Sequence, residues 1–168
     1  MVADQTPEPL RAAFNGNRRV PPPVNEPVRS YAPGSPERDE LKARLTAMAG
    51  ERIDIPLVIG GREVRTGRTA QAVMPHDHGH VLADWHKASA ENVEQAIAAA
   101  ADAHRDWSAW SWEDRAAIFL KAGELLTTRW RSTLNAATML GQSKTAFQAE
   151  IDAACETIDF WQIGRAHV

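Results

Sequence analysis

The chain has 168 residues, of which 43% are hydrophobic and 24% charged, and it carries a formal net charge of −3. That length suits one domain of about 100–150 residues with an added arm, and the composition is that of a globular protein with a packed core, which excludes a disordered or membrane-embedded chain. With 19 basic against 22 acidic residues there is no basic surface to match a phosphate backbone, so nucleic acid is not an expected partner, and no run of about 18 apolar residues is present to span a membrane.

Residues 1–36 hold eight of the ten prolines, including Pro21-Pro22-Pro23, and lack an apolar period. They read as an extended arm, either disordered or lying as a strap on its own or a neighbouring subunit. Ser35-Pro36-Glu37 then supplies an N-cap, a proline at the first helical position and an early acid, and Leu41, Leu45 and Met48 give a short helix its apolar stripe as far as Gly50. From Leu57 to His86 the β-branched residues Val58, Ile59, Val64, Thr66, Thr69 and Val73, with Gly60, Gly61 and Gly67 between them, predict a small β-meander.

Beyond Ala88 the composition turns helical. Ser89 is a good N-cap for a helix carrying Val93, Ile97, Ala100, Ala101 and His104 on one face, ending near Trp107. Ser111 and Asp114 resemble a capping box before a stripe through Ala117, Ile118, Leu125 and Leu126 toward Trp130. A further helix spans Leu134 to Leu140, with Gly141 as its C-terminal glycine, and Ile151, Ala154, Ile158 and Trp161 mark the face of a last one.

The order and wording of these pieces resemble the start of the aldehyde dehydrogenase superfamily. The hairpin Leu57-Val58-Ile59-Gly60-Gly61-Arg62-Glu63-Val64 is similar to the family's opening strand and turn, and Met74-Pro75-His76-Asp77-His78-Gly79 stands where members usually have Asn-Pro-Ala-Thr-Gly. Ser89 to Ile97 resembles the first long helix, and Asp114 to Ile118 with Ala122 to Leu126 resembles the next. Thr138 to Lys144 occupies the place of a Glu-Thr-Gly-Lys segment, while Gln148-Ala149-Glu150-Ile151-Asp152 and Ile158-Asp159-Phe160-Trp161 are similar to the branch that oxidises glutamate γ-semialdehyde to glutamate.

The resemblance implies an α/β, aldehyde dehydrogenase-like fold, of which residues 37–161 are the N-terminal, mainly helical part with the small β-meander. It implies NAD as cofactor, a homo-oligomer, and a reaction in which a cysteine thiolate attacks the aldehyde and a glutamate activates water. Those groups lie further along a full family chain. No Gly-x-Gly-x-x-Gly follows a strand here, so no catalytic or cofactor-binding residue is assigned, and this chain alone is expected to be inactive and prone to association. Glu150, within the branch-specific stretch, is the candidate substrate contact, because a carboxylate would pair with the α-ammonium of the semialdehyde; the alternative is a helix-surface carboxylate paired with Lys144 or Arg165.

Other features carry less. Cys155, the single cysteine, excludes an internal disulfide framework and fits a reducing, cytoplasmic setting, as do Asp4 and Glu8, which are unlike a basic transit peptide. Set mid-helix between Asp152 and Glu156, its thiol pKa should be raised, which does not suit a nucleophile. Gly141-Gln142-Ser143-Lys144 lacks the cysteine of the family's nucleophile motif. His76, His78 and His80 with Asp77 have a spacing compatible with a metal, but a proline- and glycine-bounded turn reads better, and no metal is assigned. His86 and His104 read as surface or packed histidines. The six tryptophans are assigned to core and interface packing. Ile163-Gly164-Arg165-Ala166-His167-Val168 matches one reading frame of a common sequencing adapter, so residues 162–168 are expected to be non-native. A free-standing helical adaptor is the alternative function.

Overall fold

The computed structural model describes residues 22–164; the readings made above for residues 1–21 and 165–168 lie outside them. Residues 22–35 run without regular structure except for a turn at Ala32-Pro33-Gly34-Ser35, closed by the Ser35 N–H on the Ala32 carbonyl at 3.0 Å. Pro33 fixes the first central position, and Gly34, at φ +80°, takes the left-handed second one that a type II turn requires. The turn delivers the chain to α1 (Pro36–Ala49), with Ser35 as N-cap and Gly50 as C-cap. α1 lies on α4 (Arg131–Gln142), where Tyr31, Leu41 and Ala136 form a buried cluster flanked by Leu45, Met48 and Met139.

The strands make two sheets rather than one meander. β1 (Ile53–Ile55) pairs in parallel with β5 (Asp77–His86), placing Ile53 beside Ala83 and Ile55 beside Trp85. β4 (Thr69–Met74) pairs antiparallel with the other edge of β5, giving the order β1-β5-β4. β2 (Leu57–Ile59) and β3 (Arg62–Val64) form a separate hairpin. Its two-residue turn, Gly60-Gly61, has φ +57° and +74°, the double positive φ that matches a type I′ turn to the twist of its strands. A meander needs only sequential neighbours; here a strand upstream of the hairpin reaches past it to join β5, which turn signals between consecutive runs do not reveal.

The helices follow in order. α2 (Ala90–Ala109) opens on a complete capping box between Ser89 and Asn92, and none of its residues is buried. α3 (Trp112–Leu125) is capped by the Ser111 hydroxyl, which accepts from the Asp114 N–H. A π-helical turn, Leu126–Trp130, joins it to α4, which runs past Leu140 and through Gly141. The helix C-terminus belongs to Ser143, at φ +57°, and not to Gly141 as the pattern suggests. α5 (Ala146–Ala149), capped by a Thr145–Gln148 box, passes through a second π-helical segment, Glu150–Cys155, into α6 (Glu156–Gly164), which packs against α3. Gln162 to Gly164, part of the expected non-native tail, continue α6. The described residues hold no helix long and apolar enough to cross a membrane.

Candidate functional site

The charged side chains buried deepest sit at the two π-helical segments. Arg131 is the first residue after one, and Glu150 opens the other. Arg131 is 1% exposed and Glu150 0%. Their guanidinium and carboxylate meet in a two-pronged ion pair, with Nε to Oε2 at 3.2 Å and Nη2 on Oε1, the fork geometry that makes arginine–carboxylate pairs strong. Both carboxylate oxygens have further donors. The Arg29 N–H gives to Oε1 at 2.7 Å, the Tyr31 hydroxyl to Oε2 at 2.7 Å, and the Asn135 amide to Oε2 at 2.8 Å. Burial alone would raise the Glu150 pKa, but Arg131 and these hydrogen bonds outweigh it and hold it at about 2.

The other side of Arg131 is occupied by the segment before α1. Its guanidinium donates to the Glu26 carboxylate and, at 2.8 Å, to the Pro27 carbonyl. Glu26 also accepts from the Thr127 hydroxyl at 3.2 Å, and its N–H gives to Asp159 at 2.7 Å. The arm is therefore a strap over at least residues 26–31, running across α4 and α6 of its own chain. Burial pushes the Tyr31 pKa up to about 12, with the Glu150 charge adding to it. Tyr31 itself has φ +51°, a left-handed conformation that costs a bulky residue roughly 1–2 kcal/mol.

Cys155 is buried beneath the strap, with Sγ 3.4 Å from Arg131 Nη2 and 4.0 Å from the Pro27 carbonyl. Its pKa is raised to about 11, first by burial and then by the Glu150 charge. The direction is the one read from its sequence, although Glu150 replaces the flanking Asp152 and Glu156 as the main charge. A thiol so protonated and covered does not serve as a nucleophile.

The remaining candidates fall elsewhere. Lys144 pairs with Asp152 at 2.8 Å, so it is not the partner of Glu150. His76 Nδ1 lies 2.7 Å from the Ser143 hydroxyl, while His80 Nε2 meets the Ala49 carbonyl at 2.8 Å; His76 and His80 thus bind separate parts of the α1 and α4 ends. His86 is buried and accepts at Nδ1 from the Gly67 N–H (3.2 Å), which leaves Nε2 as donor to Asp54 (3.1 Å). None of the six tryptophans is buried: Trp85, Trp110, Trp112 and Trp130 are 37–51% exposed. Trp107 and Trp161 are half-buried, and Trp107 packs tilted on Trp110 (5.7 Å) and edge-on to Phe119 (6.4 Å).

Arg131, Asn135, Tyr31 and Glu26 were not singled out in the sequence. A signal exists, since Arg131, Asn135 and Thr138 stand at i, i+4 and i+7 and all are buried, so a polar stripe occupies the face on which apolar residues would be expected.

Residues 63–165 match the aldehyde dehydrogenase family. The chain belongs to that family. The Delta-1-pyrroline-5-carboxylate dehydrogenase of Agaricus bisporus is 48% identical over 151 residues, 89% of this chain and 28% of the relative. The mitochondrial enzyme of that name from Homo sapiens is 44% identical over 139 residues, 83% of this chain and 25% of the relative. In three dimensions, the Delta-pyrroline-5-carboxylate dehydrogenase of Mycobacterium tuberculosis, solved with NAD bound, superposes with a TM-score of 0.87 at 45% identity, covering 91% of this chain and 29% of that one. The aldehyde dehydrogenase-like α/β fold expected from the resemblance is thereby established. The chain spans about a quarter of the length of these relatives.

Proposed function

We propose that this chain is the N-terminal portion of an NAD-dependent dehydrogenase that oxidises L-glutamate γ-semialdehyde, the open form of 1-pyrroline-5-carboxylate, to L-glutamate. The observation that carries the reading is the 45% identity and TM-score of 0.87 with the NAD-bound mycobacterial enzyme across 91% of this chain. Among the described residues no strand leads into a glycine-rich dinucleotide loop and the single thiol is buried and protonated, so no residue here is assigned to hold NAD or to attack the aldehyde. Those roles belong to the rest of the family chain, and a homo-oligomer is the expected assembly. The free-standing helical adaptor draws no support from these relatives.

A reducing compartment suits the single thiol. We place the protein in the cytoplasm on that ground; the mitochondrial relatives make the mitochondrion the alternative. Residues 1–36 as arm and 37–161 as the family portion remain our division of the chain.

For Glu150, the carboxylate's enclosure by Arg131, Tyr31, Asn135 and Arg29 supports an anchoring role in place of the direct substrate contact suggested by its neighbourhood. The tests are direct. A full-length enzyme carrying this segment should reduce NAD with the semialdehyde in preference to aliphatic aldehydes, and the 168-residue chain alone should not; absence of NADH formation by the full-length enzyme would refute the assignment. In that enzyme Glu150→Gln should lower thermal stability with KM for semialdehyde and for aliphatic aldehydes changed alike, whereas a selective rise for the semialdehyde would restore the substrate contact.

A further inference from the structure

The strap does more than decorate the helices, because of what lies beneath it and how it is fastened. Its fasteners come from two directions. On the strap side stand Glu26, the Pro27 carbonyl, the Arg29 N–H and the Tyr31 hydroxyl; on the helix side stand Thr127, Arg131, Asn135, Glu150 and Asp159. Arg131 and Glu150 pair with one another whether or not the strap is present, since both prongs of that pair lie within the helices. The strap adds itself to an existing ion pair. Val24 and Val28 point to solvent, 73% and 51% exposed, and Pro27 is exposed as well. Apart from the Tyr31 ring, then, the segment is held by polar contacts with little apolar burial of its own. Tyr31 holds a left-handed backbone that would relax on release. A segment of that kind belongs to the low-stability end of a fold, where opening precedes global unfolding.

We infer that residues 26–31 form a releasable cover over Cys155, closed by Glu26 on Arg131 and by Tyr31 on Glu150. Opening removes the Pro27 carbonyl from above the thiol and leaves it beside Arg131 and Glu150, while α4 and α6 stay folded. The cover is a local conformational device, and its state is read by one atom, since the chain has one cysteine.

N-ethylmaleimide labelling at fixed pH of the full-length enzyme carrying this segment, with Cys155 followed by peptide mass, beside amide exchange, tests it. In the wild type, the opening constant from Cys155 labelling should agree with that from the Arg29 amide, which is protected only by Glu150, and exceed that from the amides of α4. Glu26→Gln and Tyr31→Phe, both on the strap, should each speed labelling by roughly tenfold, the factor expected from losing one hydrogen bond to a charged partner, with α4 exchange unchanged. Cys155 labelling that tracks the α4 amides in the wild type, or that both variants leave unaltered, would overturn the inference.

Discussion

Glu150 illustrates how a carboxylate can be removed from water and remain ionised. Its burial is repaid by a guanidinium and three neutral donors, and the same arrangement makes each partner costly to lose. Arg131→Met would leave Glu150 buried without a countercharge, and breaking a buried pair from one side typically costs about 3–5 kcal/mol; urea unfolding of the variant should show that drop. The charge also sets a pH dependence. Because the folded pKa of Glu150, about 2, lies below its ordinary value of 4.5, its contribution to stability is full above about pH 4.5 and is lost as the pH falls toward 2. Tyr31 and Cys155 act at the other end. Their folded values of about 12 and 11 exceed the ordinary 10.0 and 9.0, so stability should fall as the pH rises from about 9 toward 12. Denaturation midpoints across pH should show both limbs, and Glu150→Gln should flatten the acid one.

Helix starts and the tight hairpin are short-range devices, which is why they were legible. Ser35, Ser89 and Ser111 each begin the helix assigned to them, because a capping hydroxyl or proline acts within one turn. Ser89→Ala should cost about 1 kcal/mol, seen as a lower thermal midpoint for α2. Gly60→Ala would force a side chain into φ +57°, with its Cβ 3.6 Å from that of Ala99, and should cost roughly 1–2 kcal/mol; an unchanged midpoint would mean that the turn relaxes. What was not legible depends on partners distant in sequence. The parallel pairing of β1 with β5 joins Ile53 to Ala83, and no local pattern encodes it. Glu150 read as a candidate substrate contact, with a surface carboxylate paired to Lys144 or Arg165 as the alternative, because only its neighbours in sequence were visible, whereas its partners are 15 to 121 residues away. Gly141 misled for the opposite reason: its composition suits a helix end, but the left-handed residue is Ser143, whose hydroxyl meets His76 across the fold.

Several large apolar side chains face outward together with the tryptophans: Val58 is 71% exposed, Ile97 63%, Phe147 63% and Phe160 66%. The long helix α2 buries nothing although Val93, Ile97 and Ala100 share a face. Exposed apolar surface on this scale favours association, and the 168-residue chain should sediment with an average mass that rises with concentration. Expressed within a full-length family enzyme, the same segment should lose that tendency; a monomeric 168-residue chain at high concentration would show that these faces need no cover. The family relationship was readable because it rests on linear motifs, from Leu57-Val58-Ile59-Gly60-Gly61 to Gln148-Ala149-Glu150-Ile151-Asp152. The catalytic chemistry was not, since Gly141-Gln142-Ser143-Lys144 lacks the cysteine of the family's nucleophile motif and no dinucleotide glycine motif follows a strand in these residues.

The fastening of Glu26 to Asp159, 133 residues apart, has a consequence for how the protein is made. A ribosome adding about 5–20 residues per second needs roughly 7–27 s to pass from one to the other. Throughout that interval the segment around Glu26 has been synthesised while its seat is still incomplete. Pro22, Pro23, Pro27 and Pro33 suit such a wait, because proline offers no N–H for premature strand pairing and resists helix formation. The first part of this region to be translated is thus among the last to find its place.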